Sequence, residues 1–128
     1  MPQPPDTALL KRDKTGLLVI DVQKPLLAAM WNREELTANL QRVVKGARIL
    51  GLPVLVTEQN PKKLGPTVPE VAESLGELAA LDKMAFSCCG EDDFMPALEA
   101  SGRTTWLICG MEAHVCVMQT ALAMLSNG

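Results

Sequence analysis

The stretch over residues 104–116 (Thr-Thr-Trp-Leu-Ile-Cys-Gly-Met-Glu-Ala-His-Val-Cys) constrains the fold more than any other. Its apolar run, Trp106 to Cys109, has the length of a buried strand and breaks at Gly110. A helical pattern follows at once through Val117, Thr120, Ala121, Met124 and Leu125, to about Ser126. Strand passing into helix through so short a turn is the unit from which parallel sheets are built. The alternation recurs along the chain. Leu17 to Ile20 is a continuous apolar run, as expected of a strand covered on both faces, and it ends at Asp21.

Residues 34–50 place Leu36, Leu40, Val43, Val44, Ala47 and Leu50 on one side of a helix, with Gly51 as its stop and Pro53 barring continuation. Val54-Leu55-Val56 reads as a second strand, and 58–69 as a polar loop broken by Pro61, Gly65, Pro66 and Pro69. A short helix is predicted over 71–78, a weakly marked strand over 81–84 leading through Lys83, and a helix over 91–100. Strands and helices in this order predict right-handed crossovers and a three-layer α/β/α open parallel sheet of Rossmann-like type. Residues 1–15 read as a flexible N-terminal segment and 16–128 as one domain.

Composition narrows the function. At 48% apolar residues the chain has surface to bury, so it is a folded globular protein. Acidic and basic residues are interspersed around a net charge of −3, and two Phe, two Trp and no Tyr offer no base-stacking surface; nucleic acid is not an expected partner. No apolar run approaches the roughly 20 residues that span a membrane. Four cysteines without a disulfide-framework spacing fit a reducing, cytoplasmic setting.

Ligands of open parallel sheets bind beyond the carboxyl ends of the strands. Asp21, Lys83 and Cys116 all fall at or just past such ends. Cys116 lies in the opening turn of a helix, where free N–H groups and the dipole stabilise a thiolate and can hold a developing oxyanion. The alternative is a small apolar cysteine packed on a helix face. The lone histidine, His114, sits two positions before Cys116, where helix geometry turns it away. That leaves Asp21 as the base for the thiol and Lys83 as the cation beside both. Glu91, Asp92 and Asp93 read as dipole partners at a helix start. Cys88, Cys89 and Cys109 lack metal-binding spacing, and no GxGxxG or P-loop is present.

Three ordered motifs, Leu17-Leu-Val-Ile-Asp21-Val-Gln23, Lys83-Met-Ala-Phe-Ser87 and Gly110-Met-Glu-Ala-His-Val-Cys116-Val, resemble the isochorismatase-like cysteine hydrolase superfamily. The loop over residues 57–70 is similar to its isochorismatase-domain-containing branch of largely unassigned substrate. The resemblance runs from about Gly16 to Gly128. It implies a catalytic triad with Asp21 as base, Lys83 as supporting cation and Cys116 as nucleophile. It also implies a cis peptide between Met111 and Glu112, and an oxyanion hole formed by the backbone N–H groups of Glu112 and Cys116. The implied reaction is hydrolysis of a small amide or related C–N substrate through a Cys116 thioester, in a homo-oligomer without a cofactor. Metal-binding relatives carry histidines in the loop matching 57–67, and this chain has none there, so no metal is expected. Isochorismatases proper act on a vinyl ether without needing the cysteine, so Cys116 argues against that substrate. Family members continue through further strands beyond the cysteine helix. The resemblance therefore implies a domain truncated at the C-terminus and missing its last strands, with a catalytically inactive or truncated interaction module as the alternative reading.

Overall fold

A computed structural model describes residues 9–128. Four strands, β1 (Thr15–Ile20), β2 (Val54–Gln59), β3 (Leu81–Lys83) and β4 (Thr105–Gly110), alternate with helices α1 (Lys24–Ala28), α2 (Arg33–Ile49), α3 (Pro61–Leu64), α4 (Pro69–Leu75), α5 (Phe94–Ser101) and α6 (Met118–Ser126). The sheet is entirely parallel in the order β3-β2-β1-β4. Leu17 lies opposite Val54 on one side and Leu107 on the other, and Ile20 opposite Thr57 and Gly110.

β1 explains its own sequence. Leu17 and Val19 point to one face and pack with Leu40, Val44 and Val71 of α2 and α4. Leu18 and Ile20 point to the other and meet Phe94, Leu98 and Cys116. All six residues of β1 are buried, so the run is apolar without alternation. Burying each of its large side chains contributes about 2 kcal/mol, which makes this strand the anchor of both layers. Among the described residues, no helix is long and apolar enough to cross a membrane.

Several elements differ from the sequence prediction, each for a tertiary reason. β2 runs on to Gln59, because β3 supplies partners for Thr57, Glu58 and Gln59. The helix predicted over 71–78 begins at Pro69 and stops at Leu75, ahead of Gly76 at φ 66°. The helix predicted over 91–100 begins only at Phe94, with the Glu91 side chain engaged in the preceding loop. α1 and α3 are short turns that apolar periodicity does not mark. Of the segment read as flexible over 1–15, residues 1–8 lie outside the described residues, Arg12–Lys14 forms a 3-10 turn, and Thr15 opens β1.

The expected cis peptide between Met111 and Glu112 is not found; that bond is trans, as is every peptide among the described residues. The trans form avoids the roughly 3 kcal/mol that a non-proline cis bond costs. The change of direction after β4 is made by Glu112 at φ −91° and ψ 64° and by a π-helical turn over Ala113–Val117.

Candidate active site

From β1 the chain steps outward to β2 and β3, then returns to place β4 on the other side of β1. The strand order reverses between β1 and β4, and beyond their carboxyl ends is where open α/β sheets bind ligands. Asp21 directly follows β1 on one side of that reversal, and Cys116 follows β4 on the other.

Asp21 is held in the left-handed region at φ 54°, which aspartate tolerates better than most residues. Its N–H donates to the Thr57 carbonyl at 3.0 Å, and its own carbonyl accepts from the Gln23 N–H at 3.0 Å. The carboxylate is 1% exposed. Oδ1 accepts from the Thr57 hydroxyl at 2.9 Å, and Oδ2 lies 2.9 Å from the Lys83 ammonium. Oδ2 accepts no well-angled hydrogen bond among the described residues, so a lone pair remains on it for an incoming proton.

Lys83, also 1% exposed, reaches across the end of β2 from β3. Its Nζ donates to Gln59 Oε1, to the Ala85 carbonyl at 2.8 Å and to the Phe86 carbonyl at 3.0 Å. Cys116 Sγ accepts from the same nitrogen at 3.5 Å. Asp21, Lys83 and Cys116 therefore converge on one ammonium, as the strand-end positions predict.

Cys116 belongs to the π turn rather than to α6 itself. The Glu112 carbonyl accepts from the Val115 N–H at 3.0 Å and the Val117 N–H at 3.2 Å, and the Cys116 N–H between them is not among its partners. A π turn shifts the ladder in this way and is common where backbone donors are used for function. The thiol differs from the expectation of a standing thiolate. Burial pushes its pKa up to about 11; the Lys83 charge opposes this, and the Asp21 carboxylate adds to it through its hydrogen bond and its charge. Only 4% of the residue is exposed, and that burial outweighs the opposing Lys83 charge. A pKa near 11 favours the thiol over the thiolate at neutral pH, with the Asp21 side chain as its neighbour.

His114 is 79% exposed, with its imidazole 3.8 Å from the Glu112 carboxylate, and stands outside the cluster. Three supporting residues escape sequence reading. Thr57 and Gln59, read as loop or strand margin, share one face of β2 and bond Asp21 and Lys83 respectively. Their spacing of two, next to an apolar strand, is the signal that could have found them. Glu91, read as a dipole partner, instead accepts from the N–H groups of Met84 and Ala85 at 2.8 Å each, bonds that lower its pKa and hold the loop around Lys83. Cys88 is a second buried thiol nearby, its Sγ 3.9 Å from the Thr57 hydroxyl and its pKa raised by burial.

Fold and site together define a three-layer α/β protein with an acid, an amine and a thiol gathered at the switch point of its sheet. The chain belongs to the isochorismatase domain family, whose domain matches residues 15–128. It is 35% identical over 116 residues to isochorismatase domain-containing protein 2 of Rattus norvegicus, covering 88% of this chain and 52% of that protein. Among solved structures it resembles the MAR1 ribonuclease of Caenorhabditis elegans, with TM-score 0.85 and 35% identity over 94% of this chain and 62% of that one. YcaC from Pseudomonas aeruginosa, solved with hexane-2,5-diol and covalent acrylamide, gives TM-score 0.86 at 26% identity, covering 93% and 61%. This chain thus spans about half the length of the rat protein.

Proposed function

We propose that the chain carries the catalytic centre of a cysteine-dependent hydrolase acting on a small amide or related C–N bond. The carrying observation is the contact of one buried ammonium with both a carboxylate and a thiol, at 2.9 and 3.5 Å. The high thiol pKa fits a mechanism in which deprotonation accompanies attack instead of preceding it. Cys116 Sγ bonds to the substrate carbonyl carbon while its proton passes to Asp21 Oδ2, and the carbonyl π electrons move to oxygen. The resulting oxyanion is met by the backbone N–H groups of Glu112 and Cys116. As the oxyanion collapses, Asp21 returns the proton to the departing nitrogen, which leaves as amine or ammonia. Water then attacks the thioester carbon and gives a proton to Asp21; the C–S bond breaks, the acid departs, and Asp21 returns the proton to sulfur to restore the thiol. Lys83 steadies the carboxylate and the sulfur throughout.

Covalent acrylamide on the Pseudomonas aeruginosa YcaC structure supports a nucleophile in this fold. One structural neighbour is a ribonuclease by name. The net charge of −3 and interspersed basic residues here favour a small uncharged substrate over a polyanion. Four free cysteines support a reducing, cytoplasmic setting, and exposed Ile49, Leu122 and Leu125 support a homo-oligomer, read directly by light scattering.

The test is ammonia release from a panel of small amides. Cys116→Ala is expected to abolish turnover, a loss of at least about 10³-fold, whereas His114→Ala retains most of it. Turnover at the wild-type rate without the Cys116 thiol would remove this reading.

A further inference from the structure

The Lys83 ammonium has three protons and five neighbours: Asp21, Gln59, the Ala85 and Phe86 carbonyls, and Cys116. Two of those neighbours are the acid and the nucleophile; the other three decide where the head group sits between them. The two carbonyls belong to the loop immediately after Lys83. Gln59 belongs to another element and is anchored on β2.

That anchorage is unusually complete. The buried Gln23 side chain donates to the Gln59 carbonyl at 2.9 Å and to the Gly65 carbonyl at 2.8 Å, and it accepts from the Gln59 N–H at 2.8 Å. One side-chain amide thus serves residue 59 as a strand neighbour would, satisfying both of its backbone groups. The Gln59 amide is oriented by chemistry as well as by space. Its nitrogen donates to the Met84 carbonyl at 2.9 Å, which cannot donate in return, and its oxygen faces an ammonium, which cannot accept. The Asn60 N–H also donates to the Lys83 carbonyl at 2.8 Å, so the end of β2 holds this lysine at both backbone and head group. Thr57, two residues earlier on the same face, holds Asp21 in the same way.

We infer that Gln59, locked by Gln23, is a positioning residue that holds the Lys83 ammonium between Asp21 and Cys116. This rests on the cysteine-hydrolase reading and adds to it a group that never touches substrate. Replacing the amide by Met removes the acceptor at nearly constant shape, and the ammonium turns toward its own loop carbonyls and away from sulfur. Replacing it by Glu keeps the acceptor but adds a second anion that competes for the ammonium. Either change disfavours the thiolate that forms during attack.

The test uses the full chain and iodoacetamide as probe, with Cys116 alkylation followed by peptide mass from pH 6 to 10. Cys89 serves as internal control and a thermal melt accompanies each variant. In both Gln59→Met and Gln59→Glu, Cys116 is expected to alkylate about tenfold more slowly at pH 8, with its profile displaced to higher pH by about one unit and Cys89 unchanged. A merely structural glutamine lowers the melt and leaves the Cys116 profile superimposable on that of the wild type; that result in both variants overturns the inference alone. A wild-type Cys116 that does not alkylate anywhere in the range overturns the hydrolase reading as well.

Discussion

Asp21 and Lys83 form an ion pair out of contact with water, and its energetics differ from those of a surface pair. Desolvating both charges costs several kcal/mol, offset by their attraction and by the hydrogen bonds from Thr57 and to Ala85, Phe86 and Gln59. Removing one partner leaves the other charge buried and uncompensated. Asp21→Asn and Lys83→Met are each expected to destabilise the fold by about 3 kcal/mol in urea unfolding. The double variant should lose clearly less than the sum, because no orphan charge remains. Strict additivity of the two losses would mean the charges are not coupled. These residues are legible in sequence because a charged side chain directly after an apolar strand has few other places to go. Thr57 and Gln59 are not, since an uncharged polar residue at a strand margin looks the same whether it faces solvent or a buried ion.

The junction of β4 with the π turn is the element on which Cys116 depends. A Cβ on Gly110 would stand 2.9 Å from the Ile20 carbonyl oxygen and 3.0 Å from Val117 Cγ2, one backbone and one side chain of the turn itself. Gly110→Ala must therefore push β4 from β1 or move the turn, at a cost of about 1–3 kcal/mol. A lowered melting temperature together with slowed Cys116 alkylation is the expected result. Gly46 in the middle of α2 meets nothing within 4 Å, so Gly46→Ala should raise stability by about 1 kcal/mol. If both glycines respond alike, close approach at Gly110 is not the reason for the residue there. The glycine break was readable in sequence and correctly ended β4; the π geometry was not, because one inserted residue leaves the apolar spacing of the following helix unchanged.

For the molecule as a whole, two buried thiols and the half-buried thiol of Cys109 connect folding to alkaline pH. Burial raises the pKa of Cys109 and that of Cys116 from 9.0 to about 11, and that of Cys88 upward as well. Each keeps its proton to higher pH in the folded chain than in the unfolded one. Above pH 9 the folded chain therefore binds more protons, and stability falls as pH rises toward 11. The loss at full ionisation is on the order of 2 kcal/mol for a thiol moved this far. Melting temperatures measured from pH 8 to 11 should decline, and Cys109→Ala should flatten the decline. A decline identical with and without the Cys109 thiol would contradict its raised pKa. A surface groove of about 690 Å³ along α5, β4 and α6 is lined by Leu98, Trp106, Ile108 and Met124 and contains none of Asp21, Lys83 or Cys116. The three groups of the candidate site are instead closely packed, at 1%, 1% and 4% exposure for Asp21, Lys83 and Cys116.

Local pattern alone determined the alternation of strands and helices, the buried status of β1 and the three strand ends where chemistry sits, since hydrophobic period and glycine breaks are properties of neighbouring residues. Tertiary structure decided what those residues do together. Lys83 reaches Asp21 only because β2 intervenes between β3 and β1, and β2 is lengthened to Gln59 only by the partners it finds there. The raised pKa of Cys116 likewise comes from burial and from a carboxylate 95 positions away along the chain, influences that no local spacing encodes.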